Sequence, residues 1–150
     1  MRDKITAAMK AAMLDKEADR LATLRLINAA IKDRDIALRG DGNSDGVSDD
    51  EILGILAKMV KQRQDSAKQY DAAGRKDLAC RERFEIKVIC EFMPKQLSED
   101  EVKSAVQTAI RSVGAETIRD MGRVMGVLKS NYAGRMDFGK AGGAVKQLLG

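Results

Sequence analysis

Three sets of residues in this sequence have types and spacings suited to chemistry. Asp41, Asn43, Asp45 and Gly46 read D-x-N-x-D-G, the opening half of a calcium-binding loop in which alternate oxygen side chains converge on one ion and glycine makes the sharp turn. The second half does not follow, because the position that should bring a bidentate glutamate is Ile52, with Glu51 one residue early. That loop is open to two readings, a weak calcium site at Asp41, Asn43 and Asp45 or a solvated connector. The second set is basic: Arg119, Arg123, Lys129, Arg135 and Lys140 are donors suited to phosphate oxygens, and Arg119 and Arg123 fall one helical turn apart, away from Met121 and Met125. They form either a phosphate-contacting ridge or scattered solubilising charge. The third set is Gly122 and Gly126, spaced for a helix crossing. These glycines either thin one helix face for a partner's backbone or serve packing inside their own domain.

Most hydrolytic chemistry is excluded by residue type. The chain has no histidine, so the commonest general base and any Ser-His or Cys-His dyad are missing. No glycine-rich turn is followed by Lys-Ser or Lys-Thr, so no phosphate-cradling nucleotide loop is expected. The acidic residues alternate with lysine and arginine on helix surfaces, where solvated ion pairs are the ordinary outcome. Cys80 and Cys90, about 15 Å apart along one helix, are too distant to bridge in place and are read as reduced, buried or half-buried thiols. No catalytic residue and no cofactor are expected.

The elements that must position these residues are helical. Five aromatic residues, a single proline and a high content of Ala, Leu, Met, Lys and Glu favour helix over sheet, and the fold class is all-α. Apolar residues recur at intervals of three and four from Ile5 to Met13 and from Leu21 to Ile31, giving two amphipathic helices. Ser48 with Glu51 forms a capping box ahead of a long third helix ending near Gly74, and a fourth starts near Lys76 with Ala79, Ile86, Ile89, Cys90 and Met93 inward. Pro94 disfavours helix at the residue before it and marks a boundary. The expected organisation is a four-helix N-terminal domain over residues 1–93, a linker over 94–97 and a three-helix C-terminal domain over 98–150. The second domain opens with a capping box at Ser98 and Glu101 and ends on a helix that turns Phe138, Ala141, Val145, Leu148 and Leu149 inward. Up to Met93 there are 18 basic and 17 acidic residues, and beyond it 9 and 6, so the shorter domain holds most of the excess positive charge. That balance permits RNA binding without the heavily basic surface of a DNA packer. Charges at positions 2, 3, 4 and 10 interrupt any signal-peptide core, and Asp3, Asp15 and Glu17 are unlike a transit peptide, so a cytosolic location is expected.

Four segments carry a further signal: RLATLRLINAAIKDRDI (20–36), KQRQDSAKQYDAAGRKDLA (61–79), FMPKQLSEDE (92–101) and RDMGRVMGVL (119–128). In this order they resemble the successive signatures of the YqeY-like family, and the GRMD stretch at 134–137 extends the likeness. The resemblance implies two helical domains similar to the tail region of the GatB subunit of the glutamine-dependent amidotransferase that acts on Glu-tRNA(Gln) and Asp-tRNA(Asn). In that enzyme, a carbon-nitrogen ligase with glutamine as amido donor, the tail engages tRNA while the catalytic domains lie elsewhere. The expected partner is therefore tRNA, with amidotransferase subunits or an aminoacyl-tRNA synthetase as further candidates, and neither a membrane nor duplex DNA. The alternative is an adaptor that docks on such an enzyme through helix faces without touching RNA. A basic set at Lys58, Lys61, Arg63, Lys68, Arg75 and Lys76 has no clean face and is read mainly as solvated surface. The loop from Gly40 to Asp50 is longer and richer in Gly and Asp than the family pattern.

Overall fold

A computed structural model describes residues 1–150. It contains seven α-helices and no strand: α1 (Arg2–Leu14), α2 (Ala18–Gly40), α3 (Asp49–Ala72), α4 (Lys76–Cys90), α5 (Glu99–Val113), α6 (Met121–Asn131) and α7 (Phe138–Leu149). The Cα packing divides them into two units, Met1–Pro94 with four helices and Lys95–Gly150 with three.

The first unit is built on the apolar stripes of its helices. Ile5 and Ala12 of α1, Leu24, Ile27 and Ile31 of α2, Ile52 and Leu56 of α3, and Val88 and Ile89 of α4 meet in one core. The long helices α3 and α4 form an antiparallel hairpin, which turns at Gly74 in the left-handed region (φ +72°) where a side chain would be strained. Inside the hairpin Arg63 Nε donates to Glu85 Oε2 at 2.8 Å and Arg63 Nη1 to the Met59 carbonyl, with the two side chains only 14% and 17% exposed. A second pair, Arg83 with Asp71, ties the helices nearer the turn. Ser48 starts α3 with a complete capping box: Glu51 N–H donates to Ser48 Oγ while Ser48 N–H donates to the Glu51 carboxylate. A cap of this kind contributes about 1 kcal/mol.

The second unit has its own core, in which Val106 and Ala109 of α5, Val124 and Leu128 of α6, and Ala141 and Val145 of α7 are buried with Met136. Ser98 and Glu101 repeat the capping box at the head of α5, and Gly114 closes that helix with φ +63°. Residues 95–97 are held to this unit: Leu97 N–H donates to the Arg135 carbonyl at 2.9 Å, Gln96 Nε2 to the Gly134 carbonyl, and Arg135 Nε to the Lys95 carbonyl.

Several side chains expected inward point out. Cys80 and Cys90 are exposed rather than buried, and Met13 (58% exposed) and Leu148 (54%) also face solvent. The cause is angular. Each helical step rotates the side chain by about 100°, and α4 turns Ala79, Val88 and Ile89 inward, leaving their neighbours Cys80 and Cys90 outside.

Candidate nucleic-acid interface

The orientation of α6 is fixed by Val124 and Leu128, which are fully buried. With those two inward, a rotation of about 100° per residue places Lys129, Gly122, Gly126, Ser130 and Arg123 side by side across an outward arc of about 120°. All five are exposed. The two glycines lie between the lysine on one flank and the arginine on the other. A β-carbon built at Gly122 or Gly126 meets nothing within 4 Å. The expectation that these glycines serve packing inside the domain is thus corrected, because they face open space on the side opposite the core. Close approach inside the tail falls instead to Gly142, where a β-carbon would come within 3.3 Å of Met121 Cε.

Arg119 precedes α6 in a single 3-10 turn, Ile118–Asp120, and is exposed. Neither Arg119 nor Lys129 forms an ion pair. Arg123 does: its Nη2 donates to Asp120 Oδ1 at 2.7 Å. Asp120 also accepts from the backbone N–H groups of Glu116 (3.1 Å) and Thr117 (3.2 Å). The Glu116 N–H, the Arg123 guanidinium and the Thr117 N–H together lower the Asp120 pKa to about 2. Sequence reading passed over this carboxylate, although Thr-x-x-Asp before a helix, with arginine three residues on, carries the signal. Asp120 builds the turn that presents the face and takes up part of its charge.

Arg135 and Lys140 lie outside α6. Arg135 is half-buried and works as a brace, donating to the Lys95 carbonyl at 3.2 Å with its guanidinium carbon 5.9 Å from the centre of the Tyr132 ring. Lys140 is exposed in the first turn of α7, whose N-cap Asp137 accepts from the Gly139 and Lys140 N–H groups. Arg119, Arg123 and Lys129 are therefore brought together with the glycines along one continuous stretch, whereas Arg135 is committed elsewhere.

In the Gly/Asp-rich loop, Asp41, Asn43 and Asp45 are all exposed. Asn43 Oδ1 accepts from the Asp45 N–H at 3.0 Å, turning the carboxamide onto its own backbone. No group of three His, Cys, Asp or Glu side chains in the chain is arranged to hold a metal ion. Nor is the whole loop a solvated connector: Val47 is buried in the first core, and its N–H donates to Asp35 Oδ1 at 2.9 Å. The basic set of the hairpin is likewise divided, since Arg63 is spent on Glu85 and Arg75 on Asp77. No helix is long and apolar enough to cross a membrane.

Comparison with known proteins gives a match to the YqeY-like protein family over residues 2–149. Among curated proteins, the chain is 27% identical over 123 residues to altered inheritance of mitochondria protein 41, mitochondrial, of Saccharomyces cerevisiae, covering 79% of this chain and 64% of the yeast protein. Proteins of the same name in Clavispora lusitaniae and Vanderwaltozyma polyspora are 31% identical over 109 residues and 32% over 85. Those alignments cover 71% and 57% of this chain, and 61% and 44% of the two relatives. The chain thus spans less than two thirds of the length of these relatives. Their mitochondrial names overturn the expectation of a cytosolic location. The charges at positions 2, 3, 4 and 10 belong to α1, a core helix of the first unit, and so report on folding and not on address.

Proposed function

Since this chain belongs to the YqeY-like family, we propose that it is an RNA-contacting accessory protein, whose tail unit docks on tRNA beside a glutamine-dependent tRNA amidotransferase that supplies all the chemistry. The observation that carries this reading is the outward face of α6, bare of side chains at Gly122 and Gly126 and flanked by Lys129 and Arg123, with Arg119 at its head. Glycines let a phosphodiester backbone approach the helix closely, and the flanking cations then reach its oxygens from both sides. Only Tyr132 and Phe138 are aromatic in this unit, and both pack against its core. Base stacking is therefore poorly supplied, and recognition rests on the shape and phosphates of a folded RNA. The test is competition at low salt between bulk deacylated tRNA and duplex DNA of equal phosphate content for the intact chain. Preference for tRNA, abolished by Gly126→Leu in a chain that remains folded, is the expected result. Equal competition, or full binding by Gly126→Leu, would refute the reading.

An adaptor role is the second reading, and one observation favours it. Phe84 of α4 is 41% exposed and lines grooves on both sides against the start of α2, next to Ala18, Ala22 and Cys80. If tRNA does not bind at low salt, partner docking through this face becomes the better account.

A further inference from the structure

A pocket in the first unit, between the start of α1 and the outer side of α2, is lined by Arg2, Asn28, Lys32, Asp35, Ile36 and Arg39. The spacing explains the convergence: at about 100° per residue, Asn28, Lys32, Asp35 and Arg39 fall within an arc of about 60° along α2. Its floor is rigid. Arg2 grips Asp35 with both terminal nitrogens, Nη1 to Oδ2 at 2.8 Å and Nη2 to Oδ1 at 2.6 Å, while Nη2 also donates to the Val47 carbonyl. The loop closes over this pair at Gly46, where a β-carbon would lie 3.0 Å from Asp35 Oδ1 and 3.3 Å from Arg2 Nη2, and φ is +81°. Arg2 and the Val47 N–H hold the Asp35 pKa down at about 2, so the carboxylate stays ionised and committed to Arg2.

Lys32 and Arg39 are thereby left as two exposed cations without ion pairs, one on either side of a neutralised pair. The pocket carries three cations against one carboxylate, with the Asn28 carboxamide as a further donor and Ile36, 65% exposed, as an apolar wall. We propose that this pocket binds a phosphate group, held by Lys32 and Arg39 with Asn28 and the edge of Arg2 completing its donor set. The phosphate is either a free anion or one phosphodiester of an RNA backbone. The site lies in a different unit from the α6 face and does not rest on the function proposed for that face.

The test is amide and side-chain NMR of the intact chain titrated with inorganic phosphate and, in a second arm, with deacylated tRNA. Both arms are repeated on Lys32→Ala/Arg39→Ala and on Arg119→Ala/Lys129→Ala. Saturable phosphate-induced shifts at Asn28, Lys32 and Arg39 that the first variant loses identify a free-anion site. Binding of tRNA weakened at least fivefold by the first variant, without phosphate-induced shifts, identifies a backbone phosphodiester. Absence of both effects overturns the proposal, as does a phosphate response equally large at isolated lysines such as Lys58 and Lys103. A tRNA loss confined to the second variant, with no phosphate shifts, also overturns it while leaving the α6 reading intact.

Discussion

Alanine at Gly126 should stabilise the tail unit. Glycine inside a helix costs about 0.5–1 kcal/mol relative to alanine, because the unfolded chain has more freedom to lose. That gain is realised only where the new methyl meets no obstacle and the backbone is already helical. Gly126 lies in the middle of α6, has no positive φ, and a β-carbon there touches nothing within 4 Å. No contact is lost or created, so the whole propensity difference should appear as stability. Two separately packed units make a single unfolding midpoint ambiguous. The suitable assay is native-state hydrogen exchange at the buried amides of Val124 and Leu128, on the same helix. A gain of about 0.5–1 kcal/mol slows exchange through global opening of the unit by about two- to fivefold. Unchanged or faster exchange in Gly126→Ala would mean that this face is covered in the native protein, and the open-face argument would fail.

Leu128→Ala, at a fully buried position between α5 and α7, should cost about 2–5 kcal/mol and collapse exchange protection in the tail while sparing α2 and α3. Ser98→Ala should remove about 1 kcal/mol by breaking the α5 capping box, visible as faster exchange in the first turns of that helix. In acid, Asp35 has a folded pKa of about 2, below the ordinary carboxylate value of about 4. The stability it contributes is therefore complete above about pH 4 and lost as pH falls through about 2, and Asp35→Asn should flatten that acid limb in the first unit. Calcium added to millimolar levels should leave the amide resonances of residues 41–47 in place, because the Asn43 carboxamide is already turned onto Asp45; saturable shifts there would establish the calcium reading.

Much of the fold is legible in the sequence because it is written in local rules. Ser48 with Glu51 and Ser98 with Glu101 announce two helix starts, and each forms its reciprocal hydrogen bonds. The three-and-four spacing of Leu24, Ile27 and Ile31 names a buried stripe that the structure retains. What resists reading is rotation by a single residue and contact between distant segments. Cys90 and Ile89 differ by one helical step, yet one is exposed and the other buried. The grip of Arg2 on Asp35, 33 positions away, leaves no trace in either local pattern. The same limit explains the α6 face. Periodicity places Arg119 and Arg123 outward, but it does not reveal that Asp120 claims Arg123 or that Arg135 is turned toward Lys95 and Tyr132.

The central claim is that cations flanking Gly122 and Gly126 neutralise tRNA phosphates, and the logarithmic dependence of tRNA affinity on salt measures this most directly. Each phosphate contact contributes about 0.7–0.9 to that slope. Arg119→Ala/Lys129→Ala, which removes two cations without ion pairs, should lower the slope by about 1.5 and weaken binding at low salt. Arg123→Ala should act less, because Asp120 already holds that guanidinium. Binding with an unchanged slope in the double variant, or no binding of tRNA at low salt by the intact chain, would contradict the account.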